Sequence, residues 1–493
     1  MPIQLTNTLS GKKEPLLPIT PKEIRMYVCG PTVYNFIHIG NARPLVFFDV
    51  VRRFLEFSGY TVTYVMNYTD IDDKIIDRAK LENTDSKTIT EKYIAEYEKD
   101  MSLLGVKPAS QMPKVTDHLP GIIALIETLI TKDVAYVVDG EVFFQIRKFP
   151  SYGKLSGKNP DDMIAGSRVE VEVKKRDPLD FTLWKPRKEA SEPAWESPWG
   201  LGRPGWHIEC SVMAMEYLGE TFDIHGGGMD LIHPHHENEI AQSEAATHKP
   251  FAKFWMHNNM LNFNSEKMSK SLGNILLTRE FIEKYSAEIL KFMLLSGHYR
   301  SVIDFSPQHL KESQSALHRI YSTIRKCEVL AKTEVNPTAK PATEDNRAAK
   351  AAQEFGTRWH EAMNDDFNTA RAIGQVFELV RAVNAMVDRK GFQLSTEAKH
   401  TVENFLQQTR ELGDVINLLR EDSNSYLKVL RTLALKERNL DEAEIEALIA
   451  NRIEARKKKD FATSDSIRQQ LLSKGIELKD AGDDTTWDVM FTA

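Results

Sequence analysis

Two cysteines, a histidine pair and a run of acids carry the most distinctive ligand chemistry in the sequence. Cys29 closes the segment RMYVC, Cys210 closes GWHIEC, and HPHHENE covers 233–239. If that last run is helical, His235 and Glu239 stand four residues apart on one face and can share a metal ion. Thiolates are soft ligands that favour zinc. Spacing alone leaves His235 or His236, and Glu237 or Glu239, as alternatives.

A second chemistry concerns phosphate. PTVYNFIHIGN places His38 and Gly40 just before a helix expected to open at about Asn41. Backbone N–H groups and the dipole at such a terminus favour phosphate. A glycine lets a ligand approach the backbone closely, and His38 can hydrogen-bond a developing oxyanion. EKMSKSLGN, residues 266–274, puts Lys267 and Lys270 on a short loop of small residues. Two lysines there suit a pyrophosphate leaving group, whose charge grows in the transition state. HGGGMD, residues 225–230, sets three glycines before Asp230.

These groups need a scaffold that converges on one crevice. RMYVC reads as a buried strand broken by Gly30 and Pro31. Leu45, Phe48, Val51 and Leu55 recur at helical spacing up to Phe57, with Gly59 as a stop. YTVTYVMN, residues 60–67, is β-branched and aromatic, hence a strand. Strand, glycine turn, helix and strand make a βαβ unit, the start of a parallel nucleotide-binding sheet whose strand ends meet at the ligand crevice.

The fold class expected is therefore α/β, with a Rossmann-type parallel-sheet catalytic domain. Its first half covers 1–138 and its second half 206–262. Between them, 139–205 reads as a connective insertion, with strand-like pieces EVFFQI and SRVEVEV among glycine and proline loops. Residues 263–329 hold the lysine loop and a helical region. LAKTEVNPTAKPAT, residues 330–343, reads as a linker. A helical bundle over 344–422 and a C-terminal domain over 423–493 follow, the latter a basic helix and then a short irregular tail.

Composition bounds the setting. The 493 residues exceed what one core accommodates. Apolar content of 41% and charged content of 27% are those of a soluble globular chain. A net charge of −7 argues against a protein that coats nucleic acid but allows a local basic face. Three cysteines form no disulfide framework, which fits a reducing, cytoplasmic setting. The first residues lack a signal-peptide core, and no stretch is apolar enough to suggest membrane contact.

HIG followed by Asn41, paired with KMSKS on the other side of an α/β core, resembles the HIGH and KMSKS marks of class I aminoacyl-tRNA synthetases. HIGH is matched in three letters, with Asn41 in place of the last histidine. The resemblance narrows with YVCGPTVY, TDIDDKII, GRPGWHIEC, HGGGMDL, HPHHENEIAQ, MNDDFNTARA and the late TTW. In that order they look like the cysteinyl-tRNA synthetases, over about residues 20–487.

The resemblance implies a ligase that activates L-cysteine with ATP and Mg2+ to the adenylate and passes it to tRNA(Cys). It implies one zinc ion per chain on Cys29, Cys210, His235 and Glu239, recognising the substrate thiolate. It implies His38, Lys267 and Lys270 in catalysis, and Gly40, Asn41, Asp230 and Lys270 on ATP. Thr69 and Trp206 match positions lining the amino-acid pocket. A shape-based pocket separates similar side chains by only about 1–3 kcal/mol, whereas metal–thiolate bonding offers a chemical test. The family's terminal region contacts the anticodon. Arg452, Arg456, Lys457, Lys458, Lys459 and Arg468 would then face RNA, with Phe461 and Trp487 able to stack on bases. Cys327 matches nothing in the pattern. A monomer is expected. A relative passing its adenylate to a small amine would lack the C-terminal region present here.

Overall fold

The computed structural model describes residues 2–162, 174–263, 266–267, 276–481 and 484–491. The chain resolves into two compact units. The first comprises Met1–Lys284, Leu294–Ile303 and Glu361–Ala370; the second comprises Tyr285–Met293, Asp304–His360 and Arg371–Ala493.

The first unit is built on a four-stranded sheet in the order Ala252–Asn258, Phe222–Gly228, Glu23–Val28, Thr61–Met66. Every neighbouring pair is parallel. From the strand Glu23–Val28 the chain crosses through helix Ile39–Phe57 to Thr61–Met66 on one side. The later strands add on the other side. The order therefore reverses between Glu23–Val28 and Phe222–Gly228, the place where open parallel sheets hold ligands. The last three residues of Glu23–Val28 pair with Ile224, His225 and Gly226, Val28 opposite Gly226. All six are buried, because both sheet faces are covered.

The expected βαβ unit is present, with shifts of one or two residues at its ends. The helix opens at Ile39, not Asn41, because His38 adopts the extended conformation of an N-cap. Between the parallel strands Thr61–Met66 and Phe222–Gly228 in the chain, Ala135–Val138, Glu141–Phe144, Phe181–Pro186 and Gly202–Pro204 form an antiparallel sheet that begins inside the expected first half. EVFFQI supplies its second strand. SRVEVEV lies outside the described residues.

The second unit is mainly helical. Helix Pro307–Ala331 packs against Thr396–Ile416 and Ser423–Glu437. Cys327 faces this core with no accessible surface, and burial pushes its thiol up to about 12.

The tail corrects the expectation of an irregular end. After helices Glu442–Lys457 and Phe461–Ser473, the strands Ile476–Ala481 and Asp484–Val489 pair antiparallel. Ile476, Leu478, Trp487 and Val489 alternate into a core with Leu471, Ile449 and Ile445. Trp487 is thus a core residue and not a base-stacking platform. Its indole N–H donates to Glu446 at 2.6 Å, and the Arg431 guanidinium lies 4.5 Å from its ring centre. Replacing Trp487 by Ala should cost about 3–5 kcal/mol, as for other buried tryptophans. Denaturant unfolding followed by circular dichroism will show it as an early transition, while an unchanged profile would place the indole outside the core.

Candidate active site and metal-binding cluster

Cys29 directly follows the strand Glu23–Val28 at the sheet's reversal point. The next residue must be glycine. A Cβ on Gly30 would lie 1.7 Å from the Asn67 carbonyl oxygen. That close approach lets the Asn67 side-chain carbonyl accept the Gly30 N–H at 2.9 Å, and it stands 3.8 Å from the Cys210 sulfur. One asparagine therefore ties the first strand end to the helix Trp206–Leu218, which carries Cys210.

The helix Glu237–Thr247 brings the acid, and the turn before it brings two histidines. Cys29 Sγ lies 3.8 Å from Cys210 Sγ and 3.5 Å from Glu239 Oε1. His235 Nε2 lies 3.1 Å from that same oxygen. The ligand atoms of Cys29, Cys210, His235 and Glu239 all fall within 4.8 Å of one another. A second set, Cys29, His225, His236 and Glu239, meets the same limit. Its atoms are close: His225 Nε2 is 2.8 Å from Glu239 Oε2, and His236 Nε2 is 3.4 Å from Cys29 Sγ.

Burial shapes the protonation of this cluster. It pushes the Cys29 thiol well up, with Cys210 and Glu239 adding to the effect. It raises the Glu239 carboxyl and pulls His235 and His236 well down. His225 falls to about 3 and His207 to about 3, both by burial. The protein's own groups thus favour neutral forms. A bound divalent cation inverts that preference, holding thiolates and a carboxylate as ligands.

The donor chemistry fits such an ion. Two sulfurs, one imidazole and one carboxylate make a four-ligand set of the kind zinc takes. His235 Nε2 is buried and, apart from its 3.1 Å approach to Glu239, has no hydrogen-bond partner. Its Nδ1 meets His207 Nδ1 at 3.0 Å, and its ring stacks on Trp206 at 4.2 Å between centres. His236 is held from behind instead, with Nδ1 2.8 Å from His257, whose own Nδ1 is 2.8 Å from Thr8. Such outer partners orient metal-ligating imidazoles.

A cavity of about 470 Å³ opens in front of the cluster. Cys29 and Trp206 stand on its wall, together with His38, Gly40, Asn41 and Asp230. Cys210, His235 and Glu239 lie behind that wall. Thr69 is buried outside the lining, its hydroxyl accepting a hydrogen bond from the Asn67 amide at 3.2 Å. Lys267 sits in the short strand Glu266–Lys267, with its side chain outside the described residues. Lys270 lies outside the described residues altogether.

Asn41 gains a concrete part here. Its side-chain oxygen accepts the His38 backbone N–H at 3.2 Å, closing a capping interaction over the first helical turn. Nearby, the sequence reading passed over Arg43. Its guanidinium is buried and donates to the carbonyls of Asn259 and Met260 at 2.7 Å and of Ser301 at 2.6 Å. Those of Tyr299 and His298 accept at 3.1 and 3.4 Å. Burial lowers its pKa to about 10, so it stays charged. Asn259 and Met260 line the cavity, so this arginine fixes one wall. The sequence signal was faint, since a helical arginine is ordinarily solvated.

In the C-terminal segment the expected basic face is partly consumed. Arg452 is buried and holds Asp480 through two bonds of 2.7 and 2.9 Å. Arg456 reaches Asp480 at 3.0 Å, and Lys458 pairs with Glu454 at 2.6 Å. Phe461 remains 65% exposed.

Comparison with known proteins decides the family. The chain is 49% identical to a cysteine–tRNA ligase of Pelobacter propionicus over 498 aligned residues, covering 99% of this chain and 100% of the relative. It is 50% identical to one of Geobacter metallireducens, with coverage of 99% and 100%. The chain belongs to the cysteine–tRNA ligases. Residues 15–315 match the tRNA synthetases class I (C) catalytic domain, and 358–420 match the DALR domain. Among solved structures, a Mycobacterium tuberculosis methionyl-tRNA synthetase in complex with methionyl-adenylate superposes with a TM-score of 0.58 at 14% identity. That match covers 84% of this chain and 90% of that one. A putative arginyl synthetase of Campylobacter jejuni gives 0.53 at 13%, covering 81% and 93%. These two share the fold. The class I family uses ATP, an amino acid and tRNA. Among the described residues no helix of this ligase is long and apolar enough to cross a membrane.

Replacing Arg43 by Met strips five carbonyls of a shared donor. Stability should fall by roughly 3 kcal/mol or more, and ATP use should weaken with the loss of the cavity wall. A thermal melt within one degree of the native protein would refute this structural part.

Proposed function

We propose that this ligase converts L-cysteine and ATP to cysteinyl-adenylate and diphosphate, then transfers cysteine to the terminal ribose of tRNA(Cys). The observation that carries the reading is the four-donor cluster set directly behind the cavity wall, with Cys29 and Trp206 exposed to the cavity. Cys29, Cys210, His235 and Glu239 would hold a zinc ion, a borderline-soft Lewis acid that would favour a thiolate over a hydroxyl or methyl group.

His235 is preferred over His236 as ligand for two reasons. Its Nε2 has no other hydrogen-bond partner, and its set includes both cysteines. His225 and His236 then form the outer shell, with His225 orienting Glu239. Trp206 covers the amino-acid end, while Thr69 acts through Asn67 on Cys210 and Gly30.

The substrate carboxylate attacks the α-phosphate at the N-terminus of helix Ile39–Phe57. Its N–H groups and His38 stabilise charge on the reacting phosphate. Gly40 and Asn41 form the floor under the nucleotide, and Asp230 reads the ribose hydroxyls. Lys267 and Lys270 neutralise the departing diphosphate, a charge that magnesium on ATP shares. The domain divisions expected from sequence carry over to this reading, with 139–205 as the connective insertion. Residues 344–422 and 423–493 serve as tRNA-binding regions. On the tRNA side, Phe461, Lys457 and Lys459 offer a ring and two charges, the chemistry of a single-stranded loop contact. We take the working form to be a cytoplasmic monomer, the compartment resting on the three unpaired cysteines.

ATP–pyrophosphate exchange across amino acids tests the reading, followed by charging of purified tRNA(Cys). Cysteine should support exchange at least a hundredfold better than serine or alanine. Exchange that is equal for serine, or absent with cysteine, would overturn it.

A further inference from the structure

The segment that matches the DALR domain, 358–420, is not confined to the helical unit. Glu361–Ala370 belongs to the first unit, with the parallel sheet. Here the chain passes from helix Thr343–Asn364 to helix Thr369–Val387. Between them Asp366 and Phe367 have φ of +63° and +48°. That left-handed conformation costs any residue with a Cβ, and phenylalanine has no polar side chain to offset it. Two such residues in succession persist only where their surroundings hold them.

Those surroundings lead to the main cavity. Phe367 has no accessible surface and meets Phe54 of helix Ile39–Phe57 edge-on, at 6.0 Å between ring centres. Asp366 is buried. Its Oδ1 accepts the Thr6 N–H and the Tyr299 hydroxyl, both at 2.8 Å, and its Oδ2 accepts the Thr6 hydroxyl at 2.5 Å. Burial, with Asp366 adding to it, raises the Tyr299 hydroxyl well above its ordinary value, so it remains a donor.

Tyr299 carries the connection onward. Its ring stacks on Phe47, in the same helix, at 4.3 Å and 14°. Its backbone carbonyl accepts the Asn259 N–H at 2.8 Å and the Arg43 guanidinium at 3.1 Å. Asn259 and Met260 line the cavity with Gly40, Asn41 and Asp230. Asp366 is not among the lining residues, yet it fixes the hydroxyl end of the residue whose carbonyl holds that wall. A reaction that depends on orientation is sensitive to small displacements of such a wall.

Resting on the adenylation reading above, we propose that Asp366 is a positioning residue of the ATP site. Through Tyr299 it sets the wall at Asn259 and Met260. Cysteine activation thus depends on a residue of the DALR-matching segment even when no tRNA is bound.

The test is cysteine-dependent ATP–pyrophosphate exchange by the full-length enzyme without tRNA. Asp366→Ala should raise the KM for ATP at least fivefold and leave the KM for cysteine within twofold. Asp366→Asn keeps Oδ1 for Thr6 and Tyr299, and its amide can donate to the Thr6 hydroxyl, so it should recover most of the loss. Tyr299→Phe keeps the ring stack and removes only the hydroxyl. It should raise the KM for ATP at least threefold, and it decides the matter if Asp366→Ala does not fold. Calorimetric titration with α,β-methylene-ATP, which cannot be cleaved at the reacting bond, should show binding weakened to the same degree. An unchanged KM for ATP, or a parallel rise for ATP and cysteine, would overturn the proposal. Loss of tRNA charging with unchanged exchange would also overturn it, by placing the role of Asp366 on the tRNA side. If the native enzyme showed no cysteine-dependent exchange, the adenylation reading itself would fail. The titration would then judge the positioning role alone: weaker binding by the variants upholds it, and equal binding rejects it.

Discussion

Four ligand groups, three of them buried, are packed together behind a cavity wall, and this crowding is the constraint around which the catalytic unit is organised. Cys29, Cys210, His235 and Glu239 bring their ligand atoms within 4.8 Å of one another. An ionised carboxylate buried in that way costs several kcal/mol unless a cation or strong donors meet it. Burial accordingly drives Cys29 and Glu239 towards protonation and His235 towards neutrality. The surrounding elements converge to hold the donors despite this. Gly30 leaves room for the Asn67 backbone carbonyl at a distance that no side chain tolerates, and the Asn67 side chain reaches on to Cys210. Trp206 and His207 seat the His235 ring.

On the proposed reading, the end of the cavity at helix Ile39–Phe57 receives phosphate, which calls for donors and positive charge. Helix Ile39–Phe57 points its N-terminus at the cavity, capped through His38 and Asn41. Arg43, one residue beyond the first turn, spends its charge inward on backbone carbonyls. It acts as a structural clamp and leaves the ligand-facing charge to other groups. The sheet reversal separates the two ends, with soft donors behind the strand tips and phosphate chemistry at the helix terminus.

Much of this was legible in the sequence because it is local or periodic. The βαβ start followed from apolar spacing and from the glycine after Cys29. The soft donors stood out because cysteines are few and HPHHENE is dense in ligands. What was not legible depends on long-range pairing. The separation of 28 positions hides the Arg452–Asp480 contact, so a structural arginine read as part of an RNA-facing patch. The tail hairpin was missed because its alternation is short and interrupted by polar residues, yet Trp487 closes a core there. His225 escaped for a related reason, and His236 stood there only as an alternative to His235. Sequence spacing cannot show that Glu239 and Cys29 lie within reach of two histidine sets at once.

Zinc-based selection of the substrate thiol is the claim on which substrate choice turns, and metal spectroscopy addresses it most directly. With cobalt in place of the native ion, the visible and thiolate charge-transfer bands report the ligands around the metal. Adding cysteine should shift and intensify those bands at stoichiometric metal, and serine at the same concentration should leave them unchanged. A cobalt spectrum that ignores cysteine, or that responds equally to serine, would contradict direct recognition of the thiolate by the metal.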